Sequence, residues 1–269
     1  MMIFKKRCLP VTKRIFFLFF LALWNCKNKP GPDLVAPRLE NPSVMLTYCS
    51  PAGDQWFRRT EYRYDNGLLV NEKTDFFGGY QTSRSLEYDE NKNLVKETLR
   101  ELTLEREKNY IYNEQNQVIL IRTETRNLDS EGNVINRSVA EMPREYENNL
   151  LVREGPEDDS HTTYQYENNK VILKTTHAAG GHKHHITRYR YTGNLLAEEI
   201  KETAAGSKMY TRHFQYDARG RLIRVTEDGK TIQENRYKGN RLEERRIFYF
   251  GIDPGFSPCG GNYTYRYEY

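Results

Sequence analysis

One short pattern occurs eight times between residues 64 and 242 and constrains the fold more than any other feature. In each copy a tyrosine ends a segment of alternating polar and apolar residues, a turn follows, and a Leu or Val opens the next segment. Alternation of this kind is typical of half-buried antiparallel strands, so each copy predicts a β-hairpin. The repeat tyrosines are Tyr64, Tyr88, Tyr112, Tyr146, Tyr166, Tyr191, Tyr216 and Tyr237.

The length of each turn fixes the predicted register of its hairpin. With two central residues, as in Asn66-Gly67, Tyr64 lies opposite Leu69; with three, Tyr216 lies opposite Leu222. The two-residue turns predict type I′ geometry, which needs positive φ at both positions. In a three-residue turn the last position is left-handed, and Lys92 fits that position poorly, which predicts an irregular loop there. The expected pairs are Tyr64/Leu69, Tyr88/Leu94, Tyr112/Val118, Tyr146/Leu151, Tyr166/Val171, Tyr191/Leu196, Tyr216/Leu222 and Tyr237/Leu242.

The predicted fold is all-β: an antiparallel meander of about eight Tyr-turn-Leu hairpins that forms a coiled sheet. Strand-like segments at 44–48 and 263–269 flank the hairpins, with Cys49 and Cys259 beside them. The sheet is either an open ribbon or closed on itself. A Cys49–Cys259 disulfide requires the two ends to meet, and unpaired thiols are disfavoured in an oxidising compartment, which favours closure. Two unpaired thiols are the alternative.

The first 43 residues predict export and a tether. Residues 1–25 form a signal peptide, with a basic start and the ten-residue apolar run 15–24, about half of what a spanning helix needs. The sequence Leu23-Trp24-Asn25-Cys26 resembles the lipobox of bacterial lipoproteins, which implies lipidation of Cys26. An ordinary secretory signal is the alternative. Residues 26–43 form a Pro-rich tether, and 44–269 form the repeat domain.

The segment Tyr216-Asp217-Ala218-Arg219-Gly220-Arg221-Leu222 resembles the YD repeat of Rhs-type and teneurin-like proteins. Tyr64-Asp65 and Tyr88-Asp89 keep the same pair, and the resemblance covers roughly residues 56–250. It implies a long, coiled antiparallel sheet. Large members of the family enclose a C-terminal toxic domain, but this chain has no room for one.

Chemical motifs are sparse. Four histidines, His177, His182, His184 and His185, lie across one Gly-rich turn and could bind a metal ion weakly; a solvated turn that happens to be rich in His is the alternative. No known catalytic or nucleotide-binding motif occurs, and no cofactor is predicted. The tyrosines could stack on sugars or peptides, or simply pack in a core. Charges on both faces of most strands argue against an outer-membrane barrel.

The charge balance excludes a nucleic-acid partner. Removing the five basic residues of 1–25 from the 41 in the chain leaves 36 against 37 acidic residues. The sequence therefore predicts an exported, lipid-anchored, non-enzymatic binding or scaffold protein of the bacterial cell envelope, held at the outer membrane or the cell surface. Its expected partner is an envelope protein, a peptide or a polysaccharide. The alternatives are an enzyme that acts on envelope carbohydrate and a metal-handling lipoprotein that uses the histidines.

Overall fold

A computed structural model describes residues 41–49, 56–248 and 262–269. The regular structure in these residues is all β-strand, and they include no helix long and apolar enough to cross a membrane. The strands are β1 (Val44–Cys49), β2 (Trp56–Asp65), β3 (Leu68–Phe76), β4 (Gln81–Tyr88), β5 (Leu94–Arg100), β6 (Leu104–Tyr112), β7 (Val118–Leu128), β8 (Val134–Glu147), β9 (Leu150–Glu154), β10 (His161–Glu167), β11 (Lys170–His177), β12 (Lys183–Thr192), β13 (Leu195–Thr203), β14 (Lys208–Tyr216), β15 (Leu222–Glu227), β16 (Lys230–Lys238), β17 (Arg241–Phe248) and β18 (Asn262–Glu268).

The sheet closes into an 18-stranded antiparallel barrel. Each strand pairs with the next along the chain. The last strand, β18, then pairs with β1, so that Val44 lies opposite Glu268 and Cys49 opposite Tyr263. The predicted all-β meander is confirmed, and its closed form is the correct one. Strands β2 to β17 are the eight predicted hairpins, and β1 and β18 join their ends.

The predicted register is confirmed in all eight hairpins. Every repeat tyrosine lies directly opposite the Leu or Val expected from the turn length. Aromatic–aliphatic pairs of this kind stabilise a hairpin by roughly 0.2–1 kcal/mol each. The repeat therefore acts as a register mark, since a slip of one residue would turn every side chain to the other face.

Each hairpin also contains a β-bulge that the sequence analysis did not predict. Tyr64 opposes Leu69, but Arg63 opposes Asn71, so Val70 is an extra residue on β3. The same one-residue shift follows the tyrosine pair in the other seven hairpins. Bulges increase the local twist of a sheet and are common at barrel rims. Here they recur along one rim, next to the eight turns.

Backbone angles correct two predictions about these turns. Asn66 and Gly67 have φ of +48° and +78°, as a type I′ turn requires, and both central residues of the Asn-Asn turns are also positive. In the two Gly-Asn turns only the glycine is positive, which is the pattern of a type II′ turn. The prediction of an irregular loop at Lys92 is wrong as well, because this residue takes φ +64° in a regular three-residue turn.

One face of the sheet carries most of the buried residues, and we call it the inner face. Side chains on the concave side of a closed sheet converge and shield one another, whereas those on the convex side spread apart. The buried apolar residues form two clusters along this face. The first lies on β11–β15 and comprises Val171, Tyr189, Leu196, Phe214, Leu222 and Val225; the second comprises Met45, Leu242 and Tyr267, where the barrel closes.

The opposite, outer face carries ion pairs between neighbouring strands. Lys96 lies 3.0 Å from Glu107, and Arg188 lies 3.2 Å from Glu202. Arg126 pairs with both Glu105 and Glu124. Most of these side chains are half-buried, and ion pairs at a protein surface stabilise a fold by only about 0–1 kcal/mol each. Eighteen strands about 4.8 Å apart give a circular barrel a diameter of at least ~27 Å. Barrels of this size hold an aqueous interior.

Candidate functional site: the inner face and the tyrosine rim

Seven of the repeat tyrosines, from Tyr88 to Tyr237, each bind their hairpin to the one before it, and Tyr269 does the same at the last hairpin. Between each bulge and its turn, the strand no longer pairs with the strand of the next hairpin. Between β11 and β12, for example, the backbone ladder ends at the pair Leu173–Arg188. The carbonyl of the repeat aliphatic residue then lacks a backbone donor on that side, and the next tyrosine hydroxyl supplies one. The hydroxyl–carbonyl distances are 2.8–3.0 Å for Tyr88–Leu69, Tyr112–Leu94, Tyr146–Val118, Tyr166–Leu151, Tyr191–Val171, Tyr216–Leu196, Tyr237–Leu222 and Tyr269–Leu242. We call this row of contacts the tyrosine rim.

The copy at Tyr216 shows what the other residues of the repeat do. The carboxylate of Asp217 accepts hydrogen bonds from the backbone N–H groups of Arg219 and Arg221, at 2.9 and 3.0 Å. The side chain of Arg221 pairs with the same carboxylate at 2.7 Å and lies over the ring of Tyr237, 4.4 Å from its centroid. Hydrogen bonds from Arg221 hold the pKa of Asp217 below its usual value. These contacts are all structural: they shape the turn and fix the next hairpin.

Below the tyrosine rim, the inner face carries two groups in which an arginine, carboxylates and a tyrosine meet. In the first, Arg84 donates to Glu97 at 3.1 Å and lies 3.6 Å from Glu72, while the hydroxyl of Tyr110 donates to Glu97 at 3.0 Å. Burial opposes ionisation of Glu97, but the hydrogen bond and charge of Arg84 and the hydroxyl of Tyr110 outweigh it and lower the pKa of this carboxyl. Burial and the nearby Glu97 raise the pKa of Tyr110 to about 12.

The second group repeats this chemistry on β13–β15. Arg212 lies 3.3 Å from Glu199 and donates to Glu227 at 2.8 Å, and Tyr210 donates to Glu199 at 2.9 Å. The guanidinium of Arg212 also lies over the ring of Tyr210, at 4.3 Å. Burial and the charge of Glu199 raise the pKa of both Tyr210 and its neighbour Tyr189. Since β5 and β13 are eight strands apart in a ring of 18, the two groups lie on nearly opposite walls.

Sequence reasoning missed these two groups because of the bulges. Without a bulge, the second residue after each repeat aliphatic would face inward; with one, the third does. Glu97 and Glu199 each stand three residues after a repeat leucine, at Leu94 and Leu196. A second apolar residue usually follows the first, as Val95 follows Leu94, and this was the available signal for the bulge.

The structure separates the predicted histidine cluster. His177 stacks on His161, which the sequence analysis did not include, with ring centroids 4.3 Å apart. His184 and His185 are neighbours on one strand, 3.8 Å apart, and His182 lies in the turn. Burial, then the nearby His184 and Lys201, lower the pKa of His185. No three metal-binding side chains come together in the part of the chain that the structure describes.

The predicted cysteine sites are only partly within the described residues. Cys49 is disulfide-bonded at the end of β1, opposite Tyr263. Its predicted partner Cys259 and the predicted lipidation site Cys26 lie outside the described residues, as do the predicted signal peptide 1–25 and most of the tether 26–43. The Cys49–Cys259 pairing and the lipidation therefore stay predictions.

The comparisons with known proteins found similarity to solved structures only. No protein-family model matches the chain, and a search of curated proteins found no match. Among solved structures, the chain is similar to a porin-like protein from Bacteroides uniformis, with 11% identity and a TM-score of 0.42 over 84% of this chain and 96% of that one. It is also similar to chains of the TcdB2-TccC3-Cdc42 and TcdB2-TccC3 complexes, at 12% identity and TM-scores of 0.23 and 0.24. These two matches cover 70% of this chain but only 13% of each of those chains.

Proposed function

We propose that this chain is an exported, non-enzymatic binding protein of the bacterial cell envelope, and that its barrel interior binds a polysaccharide segment. The observation that carries the proposal is the composition of the inner face. Tyrosine rings alternate there with ion-paired Arg and Glu side chains, at Arg84–Glu97–Tyr110 and again at Arg212–Glu199–Tyr210.

This combination suits a sugar chain. Sugars present apolar ring faces that stack on aromatic side chains, and hydroxyls that need several donors and acceptors at once. Arg and Glu supply both in a fixed geometry, because each already holds the other in place. Two such groups on opposite walls would contact a chain that runs through the interior.

The pKa of Glu97 supports binding over catalysis. A glycosidase needs one carboxyl with a raised pKa to act as its general acid. Arg84 and Tyr110 instead lower the pKa of Glu97 and hold it ionised. The carboxylate of Glu97 therefore suits recognition rather than proton transfer.

Calorimetry with soluble envelope glycan fragments tests the proposal. We expect binding by the wild type and a loss of at least tenfold in affinity when Glu97 and Glu199 are both changed to Ala. The matched control changes two outer-face residues, Glu107→Ala and Glu202→Ala, which also remove ion pairs. An equal loss in the control, or no binding by the wild type to peptidoglycan or O-chain fragments, would refute an interior glycan site.

Location and anchoring form part of the same proposal. The basic start, the short apolar run and Cys26 support export with lipidation. Cells fed a clickable fatty acid should label the wild type, and Cys26→Ala should abolish the label. An unlabelled, freely released wild type would leave the binding proposal standing but remove the anchor.

We also propose that the repeat is a divergent relative of the YD repeat. The support is structural: at Tyr216, Asp217, Gly220 and Arg221 each residue of the motif has a separate role in shaping the turn or fixing the next hairpin. If so, installing Gly at Lys92, where φ is positive, should stabilise the fold. Loss of stability in Lys92→Gly would argue against a shared turn design.

A further inference from the structure

One strand of the barrel wall lacks a described neighbour on one side over much of its length. The β7–β8 ladder runs from Leu120 and Pro143 out to Leu128 and Val134. On its other side β8 pairs with β9 only from Arg144 onward, and the N–H of Gly155 then bonds the carbonyl of Pro143. Among the described residues, no strand pairs with the second side of residues 134–142. We call this segment the β8 edge.

The β8 edge is exposed and partly apolar. Residues 134–141 are all exposed, and Val134, Ile135 and Val139 have 54%, 68% and 45% of their residue surface accessible. An exposed edge strand offers unpaired N–H and C=O groups to any other strand, and proteins usually protect such edges. Here the edge combines open backbone with apolar side chains, the composition of a strand-addition site.

We propose that a second copy of this chain occupies the β8 edge, so that two β8 strands pair antiparallel across a two-fold axis at Val139. Such a contact is isologous: each copy presents the same segment to the other. The two barrels would then share one continuous sheet through their β8 strands.

The charges of the edge select this register. With the axis at Val139, Arg137 of each copy lies opposite Glu141 of the other, which gives two ion pairs on the outer face. Val139 then meets its own copy, while Ser138 faces Ala140. With the axis at Ser138 instead, Arg137 faces Val139 and no ion pair forms. Opposite charges directly across an antiparallel pair stabilise it, by roughly 0.2–1 kcal/mol.

The charged side chains of the edge are accessible to a second copy. Arg137 bonds Glu124 at 2.7 Å, and Glu141 lies 3.9 Å from Arg122, so both already point along the outer face. Their side chains are still 59% and 57% exposed. The length of the edge also fits this pairing. The paired residues run from 136 opposite 142 to 142 opposite 136, and they end before Pro143, whose carbonyl already accepts a hydrogen bond.

Light scattering after size exclusion tests the proposal with charge exchange. The wild-type chain should be a dimer, and Arg137→Glu and Glu141→Arg should each be monomers, because each places like charges opposite one another. Mixing the two variants should restore a dimer, since each Glu of one chain then meets an Arg of the other. A wild-type monomer, or a dimer that neither variant weakens, would overturn the proposal.

A second pair of variants separates dimer loss from misfolding. Val139→Lys places two lysines opposite each other and should give a monomer whose circular dichroism spectrum is that of the wild type. Phe77→Lys changes an even more exposed apolar residue, in the β3–β4 turn, and should leave the dimer intact. Monomers from both variants would show that exposed apolar area in general, and not the β8 edge, holds the copies together.

Discussion

The barrel wall and the β8 edge are built by the same antiparallel pairing, yet they differ in what lies on the second side of each strand. In the wall every strand has two neighbours, and the tyrosine rim closes the gap that each bulge leaves. At the β8 edge the second neighbour is missing, and residues 134–141 are exposed. This difference indicates that a strand is stabilised by a neighbour on its second side and by the burial of its inner-face side chains. Pairing within one hairpin is not enough.

The largest difference is expected between a buried wall leucine and an apolar residue of the edge. Leu242 is fully buried beside Met45 and Tyr267, so Leu242→Ala removes packed methyl groups and should lower the free energy of unfolding by about 2–5 kcal/mol. Val134→Ala, at the edge but outside the proposed 136–142 pairing, should change it by less than about 0.5 kcal/mol. Urea titration of both variants measures the two values. Equal losses would contradict the comparison.

A smaller effect is expected from one hydroxyl of the tyrosine rim. Tyr191→Phe leaves the carbonyl of Val171 without its donor, which should cost about 1 kcal/mol. The matched control is Tyr80→Phe, since the ring of Tyr80 packs on Phe76 and keeps that contact without its hydroxyl. Chemical denaturation should show a loss only in the rim variant; an unchanged Tyr191→Phe would mean that the rim hydrogen bonds add nothing to stability.

The smallest effect concerns alkaline pH. The pKa of Tyr110 is raised from 10.0 to about 12 in the folded wall, chiefly by burial. Its neutral form is therefore favoured by folding, and this contribution is complete below pH 10 and lost as the pH rises towards 12. Tyr110→Phe should lose less stability than the wild type between pH 9 and pH 11, measured by urea midpoints. Parallel losses would show that Tyr110 does not contribute in this range.

The sequence predicts the register of the hairpins correctly, but it does not predict the bulges or the change of face that they cause. The turn between Tyr64 and Leu69 predicts their pairing correctly, because turn length and side-chain alternation are both local. The extra residue Val70 changes the face on which every later residue of β3 lies, and its only local sign is that Val70 is a second apolar residue after Leu69. The same shift brings His161 opposite His177, and it places Glu97 on the inner face, which simple alternation does not predict.

The β8 edge shows a second limit. The interval of 34 residues between Tyr112 and Tyr146 already marks this hairpin as longer than the others. The outer part of β8 is exposed because its neighbour β9, Leu150–Glu154, is too short to cover it. Strand lengths on both sides of a hairpin are set by tertiary packing and are the part of a meander that sequence patterns define least.

Closure of the barrel encloses the inner face, and one distance tests it directly. Val44 on β1 and Glu268 on β18 are partners in the closing ladder. If both are changed to Cys and spin-labelled, pulsed electron resonance should give a single narrow distance below about 20 Å, since paired Cα atoms are only about 5 Å apart. In an open ribbon of the same strands, 17 steps of about 4.8 Å would separate them by roughly 80 Å. A population beyond about 40 Å would contradict the closed barrel, and with it the enclosed inner face.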